Sequence, residues 1–431
     1  MADLSGRAAS EIVVSLSVGA ELSRSRSSPR MPSPPASEPA PHADEATIGA
    51  LCRYFLRLGA LGFGGPVALA GYMQRDLVDE RGWISPQEYR DGLAIAQMAP
   101  GPLAAQLAMW LAFIRTGVRG ATLATFAFVG PPFLLVVGIG WLYVGLGGAH
   151  WVGSLFYGIA PAAIAIIALA AYRLLPLTIG RDPLLWAVAV GVGLLTFFTQ
   201  SEVALAFLAA GFLVVVVRVG PQAIAHAVGG RLAGVAILSP LVPAGATDPG
   251  LLGGLALFFI KAGAFVFGSG LAIVPFLHQG VAVEHSWLTE QQFLDAVAVG
   301  LITPGPVVIT AAFIGFILAG LPGALVGAFG VFLPAYLLVI VPGRWILRHK
   351  DAVPVRAFVA GVSAAAAGAI VAASVILGRG AIRDLATLTI GLSALAALLV
   401  IRHWRPRHME RLAEPLVVFA AGVAGLLIRG A

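Results

Sequence analysis

The sequence is short of charge. Of its 431 residues only 11% are Asp, Glu, Lys or Arg, 59% are hydrophobic, and the mean hydropathy is +0.92. A soluble domain carries about 25% charged residues, so this chain cannot clothe a water-facing surface. Lysine is almost missing, with Lys261 and Lys350 the two present. The lone cysteine, Cys52, excludes an intramolecular disulfide, and no His/Cys cluster has metal-ligand spacing. Neither a metal nor a cofactor is expected. No nucleophile elbow, phosphate loop or zinc motif occurs, which leaves an enzyme without visible chemistry. The net charge of +6 comes from arginines in short loops between apolar segments, a mark of membrane topology rather than of a nucleic-acid face.

What the chain does have is apolar runs of about 20 residues, each long enough to cross a hydrocarbon core. A first set lies at 51–74, 92–114, 120–145, 152–172, 183–199 and 203–217, and a second at 251–277, 293–319, 323–343, 354–377, 384–401 and 413–428. Residues 1–48, rich in Ser, Pro, Arg and Ala, read as a disordered cytoplasmic tail without a signal peptide. Residues 49–219 and 251–431 read as two repeats, joined by a Pro/Gly-rich linker at 220–250 that holds a weak candidate crossing at 232–246.

The halves are related in sequence. A shift of 204 places Phe55, Gly59, Ala60, Phe63 and Gly64 on Phe259, Gly263, Ala264, Phe267 and Gly268, and Glu80, Trp83 and Asp91 on Glu284, Trp287 and Asp295. It also carries the triplet Pro100, Gly101, Pro102 onto Pro304, Gly305, Pro306. Duplication explains this. Basic residues are distributed oppositely in equivalent loops: 146–151 has none where its counterpart has Arg344, Arg348 and Lys350, while Arg115 and Arg119 face a counterpart near 320 that has none. The pair at 200–202 and 402–411 swaps in the same sense, whereas Arg173 and Arg181 match Arg379 and Arg383. Cytoplasmic loops are enriched in Lys and Arg, so the pattern predicts an all-α, polytopic membrane protein of two inverted repeats. Arg75, Arg81 and Arg90 fit it only if 51–74 and 92–114 are broken hairpins that enter the bilayer and return.

Those breaks are the candidate substrate site. In the first half it comprises Arg57, Gly62, Phe63, Gly64, Gly65, Pro66, Gln97, Pro100, Gly101 and Pro102; in the second, Lys261, Phe267, Gly268, Ser269, Thr303, Pro304, Gly305 and Pro306. Clustered Gly and Pro expose backbone N–H groups, which a membrane interior tolerates only where protein or a wet cavity satisfies them. Pro102 and Pro306 are placed to begin half-helices whose N-termini attract anions. Arg57 and Lys261, at equivalent positions, could wall such a site, or could snorkel to the interface. Gln97, Gln106, Thr303 and Thr310 could add donors. Close helix packing and plain kinks are the competing explanations of the Gly and Pro clusters. The acidic pairs Glu80/Glu284 and Asp91/Asp295 read as a solvated face of a polar interfacial helix.

Gly62 to Pro66, the Trp83 segment, Gln97 to Pro102 and their second copies together resemble the chromate ion transporter family in its long, two-domain form. The resemblance covers about residues 50–430. It implies multi-pass proteins of the bacterial inner membrane with oppositely oriented halves, which export chromate, confer chromate resistance and meet sulfate as a chemical analogue. The second copy departs from the first, with Ser269 and Gly270 for Gly65 and Pro66 and Leu301 for Gln97, so the halves need not bind substrate alike. Uptake of sulfate, or a non-transport membrane subunit, are the other functions considered. The expected partners are the oxyanion and the bilayer, and a homodimer is admitted.

Overall fold

Helix start and stop signals account for the first elements. In the computed structural model α1 (Ile48–Leu61) begins at an N-cap Thr47 that accepts from the Ala50 N–H and ends at Gly62. After the break, α2 (Gly65–Met73) runs into a π-helical turn, Gln74–Glu80. Helix α3 (Pro86–Met98) starts with Pro86 behind a capping box of Ser85 and Glu88. Then follow α4 (Leu103–Gly145), α5 (His150–Ile179), α6 (Pro183–Thr199) and α7 (Ala204–Val219). The second half repeats the order: α8 (Gly250–Phe265), α9 (Ile273–His278), α10 (Glu290–Ile302), α11 (Thr310–Ile340), a short α12 (Gly343–His349), α13 (Val353–Ala381), α14 (Leu385–Trp404) and α15 (Arg407–Arg429). The shift of 204 lays α3 on α10 residue for residue, and the capping box recurs as Thr289 and Gln292.

The structure describes residues 42–63, 65–146, 150–199, 204–220, 250–266, 270–404 and 407–429, and contains no strand among them. The tail up to residue 41, loop 200–202, the candidate crossing at 232–246, and Gly64, Phe267, Gly268 and Ser269 lie outside the described residues.

Both α4 and α11 reverse direction partway. Gly117 (φ 67°) divides α4 and Gly320 (φ 61°) divides α11, at a left-handed conformation that a Cβ would disfavour. The chain therefore makes two short excursions in each half. In the first, α1 leaves one end of the molecule and the π-helical turn returns to it, since the His42 N–H donates to the Gly82 carbonyl at 3.3 Å. In the second, α3 leaves and 103–116 returns, because Arg115 Nε donates to the Trp83 carbonyl at 2.8 Å and the same guanidinium pairs with Glu88. At 1.5 Å per residue, the 13-residue α3 is about 20 Å long, short of a bilayer core of about 30 Å. Residues 75–91 are not the single interfacial helix expected: the π-helical turn stops at Glu80 and α3 starts at Pro86, behind its capping box.

Among the described residues, four helical stretches are long and apolar enough, by length and composition, to cross a membrane: Leu103–Gly145, Trp151–Pro176, Val307–Ile340 and Val353–Ala381. After each reversal the long limbs, 118–145 and 321–340, pack on each other. Thr122 Oγ1 lies 2.7 Å from Tyr336 Oη, and the Phe126 and Phe329 rings meet edge-on at 6.1 Å. Rising numbers on one limb meet falling numbers on the other. Reciprocally, Gly343 abuts Trp110 and the Arg344 guanidinium lies over the Phe113 ring.

The remaining helices are exchanged between halves. On α5, Gly158 meets Ala421 of α15 and Pro161 faces Gly391 of α14; on α13, Gly368 meets Ala189 of α6 and Gly361 meets Ala210 of α7. Lipid is as apolar as a side chain, so helices in a bilayer associate through close packing, and small residues supply it. The buried run Ala364–Ala367, Gly368, Ala369 on α13 answers that demand, because α13 touches α5, α6, α7, α9 and α10.

A Cβ on Gly368 would sit 2.0 Å from the Ala189 carbonyl oxygen, while one on Gly191 meets nothing within 4 Å. Gly368→Ala is therefore expected to destabilise by about 1–3 kcal/mol, and Gly191→Ala to be neutral or to gain up to about 1 kcal/mol. Melting temperatures in detergent check this; equal melting of the two variants contradicts the packing.

Candidate functional site

The breaks of the two halves meet. Helix α1 closes at Gly62, whose N–H reaches the Leu58 carbonyl at 2.7 Å, and α3 closes at Ala99, whose N–H reaches Ile95 at 2.8 Å. Pro102 stands immediately before α4, and Pro306 before the 3-10 turn that leads into α11, so both prolines open half-helices as expected. Between these ends run two crossed hydrogen bonds. The Gly101 N–H donates to the Val266 carbonyl at 2.5 Å, and the Gly305 N–H donates to the Gly62 carbonyl at 2.8 Å. Gly62 and Val266 are themselves equivalent under the shift of 204, so each Pro-Gly-Pro triplet is fastened to the other half's first break. Each triplet also rests on the other half's long limb, Gly101 against Ala335 and Gly305 against Pro132.

Several expected donors are consumed locally. Gln106 is wholly buried and its Nε2 donates to the carbonyls of Pro100 (2.8 Å) and Ala99 (3.3 Å), closing the first triplet from below; its Oε1 has no partner. Thr303 donates to Val299 at 2.6 Å and Thr310 to Val307 at 2.8 Å. None of these three groups has a proton left over for an anion, since each threonine hydroxyl gives its one proton and the Gln106 amide gives both.

Arg57 and Lys261 are both exposed, on the faces of α1 and α8 opposite the buried Phe55, Gly59, Phe259 and Gly263. Leu56 and Leu61 are exposed beside Arg57, as are Leu257 and Ile260 beside Lys261. The two cations thus stand at equivalent places among apolar side chains, outside the knot of breaks.

The two sets of breaks differ in cover. Val67 is 71% exposed where its equivalent Leu271 is 6%, and Gln97 is exposed where Leu301 is 7%. Phe63, Gly65, Pro66 and Pro100 are partly exposed, whereas Thr303, Pro304, Gly305 and Pro306 are buried. The cause is α13, which lies over Gly270–Ala272, α9 and α10, while its equivalent α5 packs on α10 rather than on α2 or α3. The first half presents an open lip with a polar side chain; the second presents a closed, apolar one.

One feature of the arrangement runs against the sequence reading. Asp91 and Asp295 do not form a solvated face: Asp295 is 4% exposed, and both tie one half to the other. Asp91 pairs with Lys350 at 2.5 Å and accepts from Gln87 at 3.0 Å, and Asp295 accepts from Tyr143 at 2.8 Å and from Gln291 at 2.8 Å. The signal lay in the repeated Gln-to-Asp spacing of four, one helical turn, at 87/91 and 291/295. Glu80 and Glu284, by contrast, are exposed as expected.

This is the build of a multi-pass, all-helical membrane carrier, with broken helices from two related halves gathered at one place. The chain belongs to the chromate transporter family, whose sequence pattern matches residues 49–235 and 253–426. That is a family of transporters, not enzymes. It is 49% identical to a probable chromate transport protein of Synechococcus elongatus, over 88% of this chain and 94% of that protein. It is 47% identical to a chromate transport protein of Cupriavidus metallidurans, over 93% and 98%, and 32% identical to one of Pseudomonas aeruginosa, over 87% and 91%. No solved structure matches.

Replacing Gln106 by Leu leaves the buried Ala99 carbonyl and the part-buried Pro100 carbonyl without that donor, at about 1–3 kcal/mol for the buried one, so Gln106→Leu is expected to lower the melting temperature by several degrees. Gln97→Leu, at the exposed lip, should leave melting unchanged and reduce transport. Melting curves and flux measured on the same preparations check the contrast.

Proposed function

We propose that the protein exports chromate, a tetrahedral dianion, across the bacterial inner membrane and so confers chromate resistance, with substrate entering at the open lip of the first half. The observation that carries this reading is the pair of crossed bonds, Gly101 to Val266 and Gly305 to Gly62, which gathers broken backbone from both halves beside an accessible Gln97. Arg57 stands on the same helix as the first break and is the cation that draws the dianion in. Its exposure among leucines calls for water or a second copy of the chain over that face, because a cation left in lipid costs several kcal/mol.

Inverted repeats are part of the proposal. They are supported by the opposed run of 118–145 and 321–340, which are equivalent segments. The orientation is supported by charge: Arg115 beside Glu88, Arg344 over Phe113 and Lys350 on Asp91 gather at a single end, which the enrichment of Arg and Lys makes cytoplasmic. The two excursions of each half then become re-entrant hairpins with their tips at the breaks. Moving one charge is worth about 2.3 kcal/mol per 100 mV, so a dianion leaving a negative interior gains about 4.6 kcal/mol, enough for a gradient of roughly 10³. Membrane potential alone can drive export.

In inside-out vesicles with an interior-positive potential, chromate should accumulate, and Arg57→Gln should slow it about tenfold, the loss of one charge-assisted hydrogen bond; Arg57→Lys should retain more. No accumulation at any potential overturns the reading, and accumulation only in right-side-out vesicles makes the protein an importer.

Orientation has its own test, in a Cys52→Ser background. Val118 and Leu321 are exposed and each directly follows a reversal glycine, Gly117 or Gly320, and cysteines placed there should be labelled by an impermeant thiol reagent from opposite sides, Val118→Cys from the cytoplasm. Labelling of both from one side rules out inversion.

A further inference from the structure

The last helix of each half carries an arginine in its final turn, Arg218 on α7 and Arg429 on α15, and the two are held differently. In the first half Asp182, just before α6, accepts from the Leu184 and Leu185 N–H groups and pairs with Arg218 of α7. In the second half Asp384, just before α14, accepts from the Thr387 N–H and, at 2.6 Å, from the Tyr157 hydroxyl. Its oxygens being occupied, Arg429 of α15 makes no hydrogen bond among the described residues and lies instead over the Tyr157 ring, 4.2 Å from its centroid. Five N–H donors are left unassigned.

They line a cavity of about 520 Å³ bounded by α4, α5, α10, α13 and α15, which Arg383, Gln291, Asp295, Tyr143 and Tyr157 also line. Arg383 is aimed by its neighbours. Its Nη2 donates to Gln291 Oε1 at 2.6 Å and its Nε to the Gly380 carbonyl at 2.9 Å, while Gln291 Nε2 holds Asp295, which Tyr143 also holds. Three N–H groups of Arg383 remain. The buried carboxylate thus acts through Gln291 to fix a guanidinium that still has donors to give. At the other end of the molecule, the cations beside Asp91 and Gln87 are spent: Lys350 on Asp91 and Arg90 on Gln87.

We propose that this cavity is a second oxyanion site, which takes a tetrahedral dianion on the guanidiniums of Arg383 and Arg429 at the end of the carrier opposite Lys350. Planar guanidinium forks match oxyanion geometry, and both keep N–H donors to give although Asp295 lies in the lining and Asp384 stands within electrostatic reach of Arg429. A volume of 520 Å³, against about 30 Å³ per water, admits the ion with part of its hydration shell. The site holds substrate after it has passed the breaks, and in that sense rests on the oxyanion-carrier reading.

Val144, exposed and lining the cavity, reports on it. In full-length protein carrying Cys52→Ser and Val144→Cys, sulfate should slow labelling by a thiol reagent roughly threefold or more relative to chloride at equal ionic strength, as occupancy of a site requires. Sulfate is the probe because chromate oxidises thiols. Protection should fall in Arg429→Gln, which removes no hydrogen bond of the fold, vanish in Arg383→Gln with Arg429→Gln, and survive when both arginines become lysine. A cysteine at Val118 should show no protection. Absence of protection in the parent, or protection that persists in the double Gln variant, overturns the site. Chromate flux by the same parent protein separates the two readings: flux without protection sinks this site alone, and protection without flux keeps the site while sinking the carrier.

Discussion

A helix that breaks inside a bilayer leaves carbonyls and N–H groups that lipid cannot satisfy, and each such group costs several kcal/mol. In this fold the two halves satisfy each other. The Gly101 and Gly305 N–H groups find their acceptors on Val266 and Gly62, so neither half can close its own breaks. The rest of the architecture follows from that dependence. Limbs 118–145 and 321–340 must lie against one another to bring each triplet within reach of its partner, and the exchange of α6 and α7 onto α13, and of α14 and α15 onto α5, holds them there. Small residues line these contacts because backbone must approach backbone.

Much of this was legible in the sequence, because its signals are local. Gly62 and the Pro-Gly-Pro triplets stop helices as expected, although Gly130, Pro131 and Pro132 sit inside α4 without ending it, and the expected segment at 183–199 coincides with α6. The reversal of 51–74 and 92–114 followed from arginine placement, a bulk property of the loops, and the structure's excursions agree with it in path. Boundaries were less legible: α3 begins six residues before the apolar run at 92, because a capping box and an N-terminal proline started a helix that hydropathy alone could not register.

The chemistry of the site was less legible still, since it depends on which partner a polar group meets. Gln106 and Thr303 are donors by residue type, and the fold spends them on backbone carbonyls one or two turns away. Asp91 and Asp295 were assigned to solvent because their helix starts in polar sequence; their partners, Lys350 and Tyr143, lie 259 and 152 residues distant in the chain. No pattern along a single helix reports a contact of that range. What the sequence did hold was the duplication, and comparing equivalent positions recovers information that neither copy carries alone.

Duplicated halves that started alike can diverge only where the crossed bonds permit. Gly101 and Gly305 are held to glycine by close neighbours on the opposite half, Ala335 and Pro132, and both copies keep the flanking prolines. Residues off that knot are free to differ, and they do so in a consistent direction. Gln97 has become Leu301, and Pro66 has become Gly270 beneath α13, which seals the second set of breaks with apolar contact. Arg218 pairs directly with Asp182, while Arg429 lies over the Tyr157 ring and reaches Asp384 only through its field. The first half has a polar lip and an ion-paired far arginine; the second has a closed lip and an arginine with donors to give. A symmetric pair would offer the same site to both sides of the membrane. On the proposed reading this pair offers an entrance near Gln97 and guanidiniums with donors to give at the other end, so the two faces of the membrane meet different sites while the membrane potential sets the direction of net flux.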